Sequence, residues 1–251
     1  MITEKKKTAM SMLRSSEKIY GLMSPCTQMP YVACDPETYD DQVFLFEKEE
    51  DARKEAQCLA NKKIPVRLAM IDKNSRLPFF VNLYPIGVNC LIVGKGTDSE
   101  VSLQIEELIT RKIPEKIPEG KQMVENPELH LTALYIAQEM RRQPEQEIND
   151  DIKDMQEELM AHFKKGKYII PVKGREKKEM PILKQKDGKI FHPVFTDIQE
   201  FVKFVSLHRE EKFETLVVEA EKLPELLIKE AAGVAVNPMG VNLQLQLARR
   251  K

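Results

Sequence analysis

Neither sign of charge is in surplus in this sequence: 39 lysines and arginines stand against 40 aspartates and glutamates, a formal net charge of −1. Non-specific binding of DNA or RNA draws on a surplus of cations over phosphate, so a nucleic-acid partner is not expected. Long apolar runs are missing as well. No window approaches the roughly 18–20 apolar residues of a membrane span. The basic opening MITEKKKTAMSMLRSSEK is not followed by the roughly 7–15 apolar residues of a secretory signal. Cysteine is sparse, at 26, 34, 58 and 90, with spacings that match neither a zinc knuckle nor a redox C-x-x-C pair. Reduced thiols and a cytoplasmic protein are the expectation. The four histidines, at 130, 162, 192 and 208, are too scattered for a local metal motif, and no cofactor is implied.

What is present is an ordinary folded composition, 42% hydrophobic and 31% charged, over 251 residues. That length allows one large domain or two of about 100–150 residues. Internal landmarks favour two. Met29-Pro30 and Val43-Phe44 recur as Met180-Pro181 and Val194-Phe195 at one common spacing. Pro85-Ile86-Gly87-Val88-Asn89 recurs as Pro238-Met239-Gly240-Val241-Asn242 at a spacing two residues longer. Three landmarks in one order predict a duplicated module.

In the second half, KYIIPV (167–172) and Met180 to Leu183 read as short strands. The Asp187-Gly188 turn signal leads into a partner strand, Ile190 to Phe195. Asp197, with Glu200 three residues on, predicts a helix start of the capping-box type. Ile198, Phe201, Val202 and Val205 would form its apolar face. Thr215 to Val218 is a further strand, Leu223 to Ala232 a short helix with Pro224 in its first turn, and Val234 to Asn237 with Val241 to Leu247 a closing hairpin.

The first half reads in parallel. Strands are predicted at Ile19–Met23, Tyr31–Cys34, Gln42–Phe46, Val66–Ile71, Phe79–Leu83 and Val88–Val93, and helices at 47–61 and 99–112. A helix over 3–18 precedes the first module. Pro127 to Gln143, with Leu129, Ala133, Ile136 and Met140 on one face, precedes the second. Pro144 ends that helix, and Ile148, Ile152, Met155, Leu159 and Phe163 trace another apolar stripe. Ile113 to Gly120, with two prolines and a glycine, reads as a linker. The predicted class is α+β: two related modules, each a mostly antiparallel sheet of about five strands with helices packed on it. They would span 1–112 and 126–251, joined by 113–125.

Residues from about Asn126 to Leu247 resemble the N-terminal domain of the SseB family, named for enhanced serine sensitivity. The resemblance rests on Asn126-Pro127-Glu128-Leu129, KYIIPV, MPILKQKDGK, Pro193-Val194-Phe195-Thr196-Asp197 and GVAVNPMGVNLQL. The first half resembles the family only through its parallel to the second, and lacks Thr-Asp after Val43-Phe44. The resemblance implies a fold and a family name, with no catalytic residues to carry over.

Few residues stand out as chemistry. His192 sits in a strand beside Pro193, and Asp197 opens the next helix; both are candidate functional residues. Lys173, Arg175 and Lys177 belong to the one dense basic cluster, in a loop that would meet an acidic partner or a phosphate, though Glu176 and Glu179 dilute it. Gly94-Lys95-Gly96-Thr97-Asp98 lies where a phosphate loop would sit, between a strand and the helix predicted at 99–112. It lacks the full glycine pattern and carries Asp98, so a tight turn is expected. No catalytic constellation is evident. The leading expectation is a non-enzymatic binding or regulatory module for a protein partner. The alternative is an enzyme or binding protein for a small polar metabolite, with its site between the two modules.

Overall fold

The computed structural model describes residues 3–111, 122–142, 150–174 and 179–249. The chain divides into two units. One holds described residues 3–111 with 134–142, the other 122–133 with 150–174 and 179–249. The linker predicted at 113–120, the break at Pro144 and the start of the stripe at Ile148 lie outside the described residues.

Unit 1 runs α1 (Glu4–Ser15), β1 (Lys18–Met23), β2 (Ala33–Cys34), β3 (Asp41–Phe46), α2 (Glu49–Asn61), β4 (Arg67–Asp72), α3 (Lys73–Leu83), β5 (Cys90–Val93), β6 (Val101–Gln104) and α4 (Ile105–Leu108). Its sheet has the order β4-β1-β3-β5-β6, with β2 also on β3. Only β3 and β5 are parallel. Tyr20, Leu22, Tyr31, Phe44, Phe46 and Ile92 pack with Ala52 and Leu59 of α2, so the predicted inner face of that helix carries one core.

The next helix, α5 (Pro127–Arg142), contributes its first half to unit 2 and its second half to unit 1. Leu129, Ala133 and Ile136 are buried as their spacing predicts, whereas Met140 is exposed. Unit 2 continues with α6 (Asp150–Lys165), β7 (Lys167–Val172), β8 (Leu183–Lys184), β9 (Ile190–Val194), α7 (Ile198–Leu207), β10 (Glu214–Glu219), α8 (Leu223–Leu226), β11 (Ala231–Val236) and β12 (Leu243–Gln246). β7 pairs with β10, and β12-β11-β9-β8 form a second group in which only β9 and β11 are parallel. One rung joins the groups: Ile169 and Phe195 exchange N–H···O bonds of 3.0 and 2.9 Å.

The two units therefore share one succession of strands and one pattern of pairing, an α+β arrangement in both. The pairings also set which residues correspond. Phe46 faces Tyr20 as Phe195 faces Ile169. The Gly94 N–H donates to Leu45 O at 2.8 Å as the Asn237 N–H donates to Val194 O at 2.9 Å. Phe46, Glu47, Lys48 and Asp51 thus stand where Phe195, Thr196, Asp197 and Glu200 stand in the other unit.

This register corrects the sequence landmarks. Val43 corresponds to His192 rather than Val194. Pro85–Asn89 precedes the fifth strand of its unit, while Pro238–Asn242 follows the strand that matches it. Some elements differ too. Phe79–Leu83, predicted as a strand, lies in α3, whose start is capped by the Asp72 carboxylate accepting from Asn74 and Ser75 N–H. The helix predicted at 99–112 is strand β6 followed by one turn, α4. The helix predicted over Leu223–Ala232 stops at Leu226. On α7, Phe204 and Glu200 are buried whereas Ile198 and Val202 are exposed, so the buried stripe is rotated from the predicted one.

Candidate functional site

Pro171 in β7 and Pro193 in β9 shape the main cleft. Past the rung of Ile169 and Phe195, antiparallel register sets these two prolines opposite each other. Backbone donors alternate from one side of a strand to the other, so both would have donated into the gap between β7 and β9. Proline has no N–H, and the ladder stops after a single rung. Beside that break lies a cavity of about 760 Å³. Ile170 and Val172 line it from β7, His192 from β9, Phe204 from α7, His208 from just past that helix, and Leu216 from β10. Met180 to Leu183, Leu226 at the end of the short α8 and Ile228 beyond it continue the wall, with Lys173, Glu179 and Glu211 as its charged members.

Length and packing explain why the opening sits in this unit. The crossover from the fourth strand to the fifth runs over 73–89 in unit 1 but only 220–230 in unit 2. Ile170 corresponds to Gly21, which is so closely packed that a Cβ there would meet Ile71 Cδ1 at 3.3 Å.

Aliphatic side chains dominate the cleft and extend to its rim, where Ile182 is 51% exposed, Leu226 40% and Ile228 39%. His192 forms part of the floor and is shut off from solvent. Its Nδ1–H donates to Pro181 O at 2.8 Å, and its Nε2 accepts from Ile228 N–H at 3.4 Å. Both ring nitrogens are thus engaged, in the neutral tautomer. Burial pushes the imidazole below its ordinary pKa, against a smaller upward pull from the Pro181 carbonyl. His208 stacks on Phe204, ring centroids 4.1 Å apart, and its Nδ1–H donates to Phe204 O at 2.8 Å. Lys173 pairs with Glu211 and lies 5.1 Å from the Phe213 ring centroid. Arg175 and Lys177 lie outside the described residues.

Asp197 belongs elsewhere, in a buried polar cluster at the far end of β9. Its Oδ1 accepts from Gln199 and Glu200 N–H at 2.9 and 3.1 Å, the predicted helix cap. Glu200 does not close a capping box; its carboxylate pairs with Lys203 and abuts Gly240. Asp197 Oδ2 accepts from the Thr196 hydroxyl at 2.7 Å and lies 3.6 Å from His130 Nδ1. Asn237 donates to Thr196 Oγ1 at 2.8 Å and accepts from Thr196 N–H at 3.0 Å. Asn126, just before α5, donates to Thr196 O at 2.8 Å and Lys167 O at 2.7 Å. Gly166 admits it, because a Cβ there would lie 2.4 Å from Asn126 Oδ1. Burial would raise the Asp197 pKa, but the contacts from His130, Thr196 and Glu200 hold it below the usual carboxylate range. A hydroxyl, an imidazole and a carboxylate meet here, yet Thr196 and Asp197 both address the same His130 nitrogen and all three are buried. The group works as a structural lock, since a nucleophile would need its own base and access to substrate.

The structure thus places Lys173 and His192 at one cleft and Asp197 apart from it. Gly94–Asp98 is the tight turn expected, but it leads into a strand and not a helix start. Among the described residues no group of His, Cys, Asp or Glu could hold a metal ion, and no helix is long and apolar enough to cross a membrane. Sequence reasoning missed the rim of Ile182, Leu226 and Ile228, whose signal was diffuse, and the pairing of Asn126 and His130 with Thr196-Asp197.

No family model and no curated protein matches the chain. Among solved structures it is similar to Tic22 from Plasmodium falciparum, with 11% identity, 90% of each chain covered and a TM-score of 0.22. It is likewise similar to Anabaena Tic22, described as a protein-transport protein, with 11% identity, 93% of each chain covered and a TM-score of 0.23. A likeness at that level bears on neither fold nor function.

Proposed function

We propose that this chain is an SseB-family protein, grown by duplication of one module, that serves in the cytoplasm as a non-enzymatic binding or regulatory module for a protein partner. The second unit's cleft takes an extended apolar segment of that partner. The rim carries the reading: Ile182, Leu226 and Ile228 are exposed around an aliphatic wall, where apolar surface is stabilised by a partner that covers it. The floor supports it too. Both nitrogens of His192 are engaged by backbone groups and Lys173 pairs with Glu211, so neither side chain is aimed at a small polar ligand. Cys26, Cys34 and Cys58 are exposed and unbridged, which favours a reducing compartment. The family assignment draws on the residues that carry the resemblance, from Asn126-Pro127-Glu128-Leu129 to the closing GVAVNPMGVNLQL.

Selecting a random peptide library displayed on phage against the full chain tests this. Apolar peptides should be enriched. A synthetic copy of the best should lose at least about tenfold in affinity, about 1.4 kcal/mol, for the Ile182→Glu, Leu226→Glu variant. Enrichment of no peptide, or equal affinity for the variant, overturns the reading.

A further inference from the structure

Strand β10 is the outer edge of its sheet: it pairs with β7 on one side, and among the described residues no strand pairs with it on the other. The hydrogen bonds say which of its backbone groups are left over. Ile169 faces Phe195 of the other group, so its neighbours Tyr168 and Ile170, and Val172 beyond, turn their N–H and C=O groups to β10. Their partners there are Val218, Leu216 and Glu214, and Ala220 N–H continues the series by donating to Gly166 O at 3.0 Å. Thr215, Val217 and Glu219 therefore turn their N–H and C=O groups outward, and all three residues are exposed.

Such an edge is a template for another strand, and proteins blunt theirs with lysine, proline or a bulge. The β10 sequence, ETLVVE, has neither lysine nor proline, and its register with β7 runs unbroken from end to end. Each described strand already lies in a sheet, so among the described residues the chain has no spare strand of its own to cover this edge.

The sequence of the strand complements itself. In antiparallel pairing about a two-fold axis at Val217, Val217 faces its own copy, and Thr215 of each copy faces Glu219 of the other. Every outward N–H and C=O then finds a partner. The Glu219 carboxylate, already beside Lys167 at 3.6 Å and Lys222 at 4.0 Å, meets a threonine hydroxyl and not a second carboxylate. Glu214 does not meet Glu219 either, because alternation puts their side chains on opposite faces of the sheet. On the face that carries Leu216, a wall residue of the apolar cleft, Leu216 faces Val218 of the second copy. Aliphatic and β-branched pairs of this kind are the cross-strand contacts that stabilise sheets.

We propose that β10 is a dimerisation edge: two copies of this chain join through it, antiparallel, in the register centred on Val217. The β10-β7 pairs of the two copies become one continuous sheet, and the apolar wall of each cleft runs on into the other copy. The dimer goes beyond the protein-binding reading, and it stands whether or not the cleft takes a peptide.

Sedimentation velocity of the full-length chain at about 100 μM should show a dimer, and Val217→Lys should weaken it by at least about tenfold. Position 217 is exposed, and unchanged circular dichroism and melting would confirm that the variant is folded. A short bifunctional thiol reagent reads the register. In the proposed pairing, Val217→Cys sets two thiols on residues whose Cα atoms lie about 5.5 Å apart, and the two copies should be linked through them. Thr215→Cys sets its two thiols about 14 Å apart, four residues along the strand, and should not be linked to itself. Peptide mapping separates these links from any through the exposed Cys26, Cys34 and Cys58. A monomer at that concentration, or an equally tight dimer of the folded Val217→Lys variant, overturns the proposal. So does a link between the copies at 215 and none at 217.

Discussion

His192 shows what one residue can change between two otherwise parallel units. Its counterpart is Val43, buried on the matching strand. Replacing a hydrocarbon by imidazole brings two polar atoms into the interior, and each must find a partner. Pro181 O and Ile228 N–H supply them and tie the cleft's two walls to its floor. The same arrangement makes stability depend on pH. The folded-state pKa lies below the unfolded one, so the unfolded chain takes up the proton first as pH falls. The contribution of the neutral ring is complete above about pH 6.5 and is lost as pH falls through the folded value. In urea unfolding of the full chain, His192→Val should therefore flatten the decline in stability as pH falls below about 6.5. An identical decline in wild type and variant would rule out His192 as its source. His192 and Asp197 were both legible in the sequence as polar residues in apolar company. Their roles were not, because the partners come from 181 and 228 in one case and from 126 and 130 in the other, and local spacing carries no trace of such pairs.

At the scale of elements, periodicity read the strands that alternate or run apolar, such as Gln42–Phe46 and Ile190–Phe195, and the helix that follows each. It failed where local composition and tertiary placement disagree. Phe79 to Leu83 is apolar and aromatic enough for a strand, yet the Asp72 cap seven residues earlier commits the backbone to α3, and Pro78 sits inside that helix. Val101–Gln104 reads as amphipathic helix until β5 offers it an antiparallel edge. The cleft is itself an effect of elements, since the two facing prolines end a ladder that would otherwise continue. Pro171→Val with Pro193→Val would restore two donors. The net gain of about 1 kcal/mol per hydrogen bond is offset by about 0.4–1 kcal/mol lost with each proline's restriction of the unfolded chain. Stability should hardly move, so hydrogen exchange is the informative readout. Slow exchange at both new amides, with weaker binding of apolar peptides, is the expected result. Fast exchange at both would mean that side-chain packing, and not the missing donors, holds the strands apart.

For the whole molecule, the question is where one unit ends. The sequence suggests a break within 113–125, with everything from 126 onward in the second module. The structure instead gives the second half of α5 to the first unit. Gln138 acts there like a strand rung: its Oε1 accepts from Val32 N–H at 3.2 Å and its Nε2 donates to Val32 O at 2.9 Å. Tyr135 donates its hydroxyl proton to Asp41 Oδ1, an acceptor whose burial pushes its own pKa up. Cys26 Sγ donates to Ala137 O at 3.7 Å. A helix with apolar positions on more than one side gives no hint in sequence that its two halves serve different cores. If residues 134–142 belong energetically to unit 1, then Tyr135→Phe with Gln138→Ala should loosen that unit and leave the other as it was. The loss should be several kcal/mol: about 1.5–3 kcal/mol for the hydrogen bond to a carboxylate and about 1–3 kcal/mol for each of the two Val32 backbone groups left without a partner. Hydrogen exchange on the full chain would show it as faster exchange across residues 32–46, with residues 190–195 unchanged. Equal loosening of both segments would mean that α5 acts as one rigid rod shared by the units, and no change in either would mean that its second half contributes nothing to the first unit's stability.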